Sequence, residues 1–120
     1  MLDLDGLQVA YLGVALAHYL DLDTGDIIDI PLDDPPPGDE ARFLRIPTRT
    51  PESEDEDRRL FVQKMERSTM KDRLTHLVDD PHGFRAAISE DLRVQRQFFN
   101  FKNEQATRAI GEWIAAEGLS

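Results

Sequence analysis

A chain of 120 residues has the length of one domain and can bury about two-thirds of the surface it exposes when unfolded. Its apolar fraction of 40% and charged fraction of 32% are those of an ordinary globular protein, and the absence of cysteine excludes disulfides and thiolate metal sites. The net charge of −10 is uneven: residues 1–57 hold 15 acids against three bases, a balance of −12, and residues 58–120 hold nine against 11, a balance of +2. Such a protein is repelled by nucleic acid at long range, while its second half is locally neutral to basic.

The apolar run Leu7–Ala17 ends in Ala-Leu-Ala like a secretory leader, but Asp3 and Asp5 precede it with no Lys or Arg. That is the wrong sign for a signal peptide. At 11 residues the run is also too short to span a bilayer. Neither export nor membrane insertion is expected, and a cytoplasmic location follows by default. Leu4, Leu7, Tyr11 and Val14 recur at helical spacing and predict a short helix over residues 3–13, weakened by Gly6 and Gly13.

Leu20 and Leu22, then Ile28 and Ile30, alternate with acids around Asp23-Thr24-Gly25-Asp26. This is a β-hairpin whose Gly takes the left-handed turn position. Asp21, Asp23, Asp26 and Asp29 fail as an EF-hand, because Gly25 comes one place early and Leu32 stands where the loop needs Glu. Asp33–Glu40 has three consecutive prolines and no apolar residue, and reads as a loop. Ala41–Pro47 predicts a third strand, with Arg42 and Arg45 turned outward.

Thr50-Pro51 opens a helix as cap and first residue, with Leu60, Phe61 and Met65 on its buried side. Thr69 and Asp72 mark a second start, followed by Met70, Leu74, Leu77 and Val78 as a buried stripe. Asp79–Gly83 stops that helix, and Phe84–Ile88 makes a short helical turn. The last helix starts at a Ser89 cap, presents Phe98, Phe101, Ala106, Ile110, Trp113 and Ile114 as one face, and stops at Gly118. The predicted architecture is α+β in a single domain, residues 1–120. A short N-terminal helix and an acidic three-stranded antiparallel meander occupy residues 1–47, and three to four helices occupy residues 51–118.

His18, His76 and His82 form no ligand pair of the HxH or HExxH kind, and no thiol stands by to complete a zinc site. His18 reads as a half-buried strand residue and His76 as a residue on a helix's polar side. There is no GxSxG elbow, and Ser53, Ser68 and Ser89 fit as helix caps. The seven glycines are scattered, so no phosphate loop forms and no cofactor is expected. The constellation that stands out is His82, Arg85, Arg93, Arg96, Phe98, Phe99, Lys102 and Arg108: cations on consecutive elements with aromatics between them. It suits an acidic partner or stacking on single-stranded nucleic acid. Phe98 and Phe99 are adjacent on a helix, so one of them points away from the face the other buries, and an exposed Phe marks a contact, including one between two copies of the chain.

Four short stretches in this order, Tyr19–Ile28, Arg42–Pro47, Gly83-Phe84-Arg85, and Phe101-Lys102 through Arg108, Ala109, Trp113 and Ile114, resemble the bacterial uncharacterised protein family 0158. The resemblance covers nearly the whole chain and implies a bacterial source and one domain, but no activity, cofactor or catalytic residue. The chain departs from the family pattern at Phe98-Phe99, where an aromatic such as Trp a few residues earlier would be the match.

Three functional expectations follow. The first is a regulatory or interaction module in which the acidic half, with Asp33, Asp34, Asp39 and Glu40, meets a basic protein surface. The second is a nucleic-acid contact through the Arg, Lys and Phe cluster. The third is an enzyme using a carboxylate pair, or His76 or His82 as base, which would show as a strongly shifted carboxylate in a pocket.

Overall fold

Local signals set the elements one by one in a computed structural model that describes residues 2–119. In chain order these are α1 (Leu4–Leu12), β1 (Leu16–Asp21), β2 (Ile27–Pro31), β3 (Phe43–Arg45), α2 (Pro51–Lys64), α3 (Thr69–Thr75), α4 (Pro81–Ser89) and α5 (Leu92–Glu117), an α+β fold as predicted. Two compact units emerge, Met1–Arg49 with Ala106–Ser120, and Thr50–Gln105. Helix α5 runs through both, giving its last part, from Ala106, to the first unit.

In the N-terminal unit, Asp3 caps α1 by accepting the Gly6 N–H at 3.0 Å. Strand order is β2-β1-β3, antiparallel throughout, with Tyr19 opposite Ile28 on one side and Arg45 on the other. The predicted meander is therefore corrected: β3 pairs with β1. Two features favour that edge. The Leu22 N–H donates to the Arg42 carbonyl at 2.8 Å, which draws the incoming chain to the end of β1. On the other side β2 ends in Pro31, which has no N–H to offer a further strand. As the central strand, β1 is buried from Ala17 to Asp21, so the expected alternation of buried apolar and exposed acidic positions does not hold. Gly25 takes φ 80°, the left-handed turn position the hairpin requires. Leu7, Ala10, Leu20, Ile46 and Ile110 form the core, with Trp113 and Ile114 packed against it.

In the second unit, Thr50 caps α2 and Pro51 takes the first turn. Ser53 is not a cap but the reciprocal partner in a capping box with Thr50. Ser68 caps α3, as predicted, and Thr69 is its first residue. The Asp79–Gly83 segment does more than stop a helix: Asp80 accepts the Gly83 N–H at 3.0 Å and starts α4, with Pro81 in its first turn. Ser89 does not cap α5. It ends α4 and donates to the Ala86 carbonyl, while Asp91 accepts the Arg93 N–H at 3.0 Å and opens α5. Gly118 stops α5 at φ 68°, as predicted.

The core of this unit holds Phe61, Leu74, Phe84, Val94, Phe98 and Phe101. Phe98 meets Phe61 edge-on at 5.0 Å between centroids and Phe84 at 5.1 Å. Phe99, one position along, is 46% exposed. Truncating Phe98 to Ala should therefore cost about 3–5 kcal/mol, whereas Phe99→Ala should stay within about 0.5 kcal/mol. Urea denaturation of both variants measures this, and equal losses would contradict the assignment of faces.

Candidate interaction surface

The eight residues of the cationic and aromatic cluster separate in the structure. Arg93, Arg96 and Phe99 are exposed on the first part of α5, while Phe98 is buried and supports the surface from below. Lys102 is half-buried, with its ammonium 5.5 Å from the Phe98 ring centroid and 5.4 Å from that of Phe99. Cation–π contacts of this kind hold a charge over an aromatic face. His82 and Arg85 are exposed on α4, which meets α5 through the Phe84–Phe98 contact. Arg108 lies beyond Gln105, in the part of α5 that belongs to the N-terminal unit.

Helical spacing explains the arrangement on α5. Val94, Phe98 and Phe101, at i, i+4 and i+7, fill the core. Leu92, Arg96, Phe99 and Asn103 repeat the same spacing on the opposite side, and all four are exposed. Leu92 is 73% exposed, the highest value among the large apolar residues described. From Leu92 to Asn103 the chain carries Arg93, Arg96 and Lys102 and no acid. The sequence pattern marked Phe98 and Phe99 as an either-or pair, but Leu92 was missed; its signal is its position seven residues before Phe99.

An open groove of about 670 Å³ lies in the same unit, floored by Phe61, Met65, Met70, Val94 and Phe101. Its rim mixes Lys64, Arg67 and Arg93 with Glu66, Asp91 and Glu104, so it favours neither charge. Arg93 lines this groove and stands beside the stripe, one residue from Leu92.

Titratable groups elsewhere serve structure. Asp21, predicted to face outward, is 4% exposed and accepts from the Asp23 N–H at 2.9 Å and from both Arg42 Nε at 3.1 Å and a terminal nitrogen at 2.9 Å. Arg42 is exposed, as predicted, and its guanidinium reaches back to the buried Asp21 carboxylate. The Arg42 guanidinium, chiefly by this two-point hydrogen bond, holds the Asp21 carboxyl well below the usual carboxylate range, with the Asp23 N–H helping and burial opposing. A general base needs the opposite shift, toward neutrality. His76 is exposed with Nδ1 2.9 Å from the Asp72 carbonyl, and His82 is exposed in the first turn of α4. His18 is not half-buried but 5% exposed, and bonds through both ring nitrogens. Among the described residues no group of His, Asp and Glu is arranged to hold a metal ion, and no helix is long and apolar enough to cross a membrane.

Comparison with protein-family models, with curated proteins and with solved structures gives no match, so the family resemblance rests on its motifs alone.

Because the folded protein holds Asp21 ionised more firmly than the unfolded chain does, the stability it adds is present above the ordinary carboxyl range and is lost progressively from about pH 4 downward. Asp21→Asn should be less stable than the parent at neutral pH and should lose less on acidification. Acid titration followed by circular dichroism tests this, and parallel curves for parent and variant would refute it.

Proposed function

We propose that this protein is an interaction module that docks an acidic, partly apolar segment of another protein on the exposed side of α5. The observation that carries the reading is the Leu92–Asn103 stretch: three cations, no acid, and the exposed side chains of Leu92 and Phe99 on one stripe. Leu92 and Phe99 supply apolar area that only a partner would cover, and Arg93, Arg96 and Lys102 select carboxylates around it. Phe99 already lies under the Lys102 ammonium, so its ring is held in place before any partner arrives. Charge on this face reverses the polarity expected from the acidic half, whose loop Asp33–Glu40 is exposed throughout but offers no apolar anchor.

Capture from a bacterial lysate at low salt, with and without nuclease, and with Phe99→Ala and Arg96→Glu run beside the parent chain, tests the reading. An acidic protein retained by the parent chain after nuclease, weakened at least about tenfold by Phe99→Ala and lost with Arg96→Glu or added salt, is the expected result. Capture that vanishes with nuclease would replace the reading with a nucleic-acid contact. A partner indifferent to both substitutions would move the interface elsewhere, and a parent chain that sediments as a dimer through Phe99 would make the partner a second copy.

A further inference from the structure

Both ring nitrogens of His18 face oxygens that accept hydrogen bonds. Nδ1 lies 2.6 Å from Oδ1 of Asp29 on β2, and Nε2 lies 2.6 Å from the main-chain carbonyl of Gly13, at the joint between α1 and β1. A carboxylate and a carbonyl have no proton to give, and a neutral imidazole has one N–H. It would satisfy one oxygen and turn a lone pair toward the other. The imidazolium donates to both, and the short distances suit charge-assisted bonds. We propose that His18 is held as the imidazolium and acts as a proton-dependent latch, tying the end of α1 to the sheet when charged and releasing one oxygen when neutral.

The surroundings fit a charged ring that protons can reach. His18 sits in an open recess of about 460 Å³ lined also by Asp3 from the α1 cap, Asp26 from the hairpin turn and Asp29 from β2. These carboxylates are the charged groups that face it from α1, the turn and β2, and no cation lines the recess. On the β3 side the neighbour is Ile46, whose N–H donates to the His18 carbonyl at 2.9 Å. The ring also packs tightly on the joint: a Cβ at Gly13 would stand 3.2 Å from Nε2, closer than most side chains tolerate. Asp29, with its side chain 54% exposed, draws the remaining N–H of a neutral ring more strongly than a carbonyl does. The bond that breaks is therefore the one to Gly13. Its own N–H, bonded to the Ala10 carbonyl at 3.1 Å, then reports the loosening of the last turn of α1.

The latch is independent of the α5 surface and is tested on the whole chain. Long-range proton–nitrogen spectra of the imidazoles, taken from about pH 5 to about pH 9, read the state of each ring nitrogen on both sides of histidine's ordinary range. The expected result is a His18 ring protonated on both nitrogens at the acid end. Crossing to the neutral ring should raise Gly13 amide exchange, corrected for its intrinsic rate, by about tenfold, the scale of one hydrogen bond to a charged group. Asp29→Asn sharpens the test, because the carboxamide can turn its NH₂ toward Nδ1 and a neutral ring then satisfies both partners. In that variant the pH dependence of Gly13 exchange should flatten while the fold is kept. A His18 ring with one protonated nitrogen across the whole range, or an exchange profile unchanged by Asp29→Asn, would overturn the proposal.

Discussion

Helix α5 supplies side chains to two hydrophobic cores, and that double demand conditions the rest of the structure. Its first stretch gives Val94, Phe98 and Phe101 to one core, and its last gives Ala106 and Ile110 to the other. A stripe at three/four spacing occupies roughly a third of a helix's circumference. In the first stretch, therefore, core packing accounts for Phe98 and leaves the opposite side to whatever the sequence places there. What it places there is Leu92, Arg96 and Phe99, a mixture that neither a purely solvated face nor a buried one calls for.

Buried polar groups do the tying that apolar packing cannot. Arg58 on α2 is 6% exposed, yet its Nε donates to the Val78 carbonyl at 2.7 Å and its guanidinium pairs with Asp55, which fixes α2 against the turn leading to α4. Asp21 does the same for the chain that enters β3, through Arg42. An unpartnered charge at either place would cost more than the fold could spare, and removing one partner would leave the other in that state. Each group is ionised, has a specific partner, and sits where a loop meets a regular element.

These groups also mark where the sequence was legible and where it was not. Elements with a local signature were readable: the Thr50-Pro51 start, the Gly25 turn, the Gly118 stop and the α+β class all follow from short-range chemistry. Strand order was not, because β3 chooses β1 through the Arg42–Asp21 contact, 21 residues apart in sequence. An Asp in an alternating run looks like an outward residue until its partner is known, and His18 looked half-buried for the same reason. The Ser89 cap failed because two competent caps, Ser89 and Asp91, stand two residues apart, and α4 extends far enough to absorb the first. On α5 the adjacent Phe98 and Phe99 could be recognised as facing different ways, but which one was buried depended on Phe61 and Phe84, in other helices.

The charge on the exposed side of α5 has to be weighed against a protein that is strongly acidic as a whole. Charges more than a Debye length apart, about 8 Å at physiological salt, are largely screened, so close contacts feel local charge rather than the total. Locally, the two nearest acids before Leu92 are engaged: Glu90 pairs with Arg73 at 2.5 Å, and Asp91 spends its carboxylate on the cap of α5. Arg93, Arg96 and Lys102 thus present a positive field over a few residues of helix. A long polyanion would extend past that stretch onto a chain of net charge −10 and lose what it gained there. In the proposed docking, a short acidic segment laid along Leu92 and Phe99 would meet the cations and end before the repulsion begins. The balance between patch size and total charge therefore favours a compact acidic partner over a nucleic acid, even though the aromatics and cations of α5 would suit either.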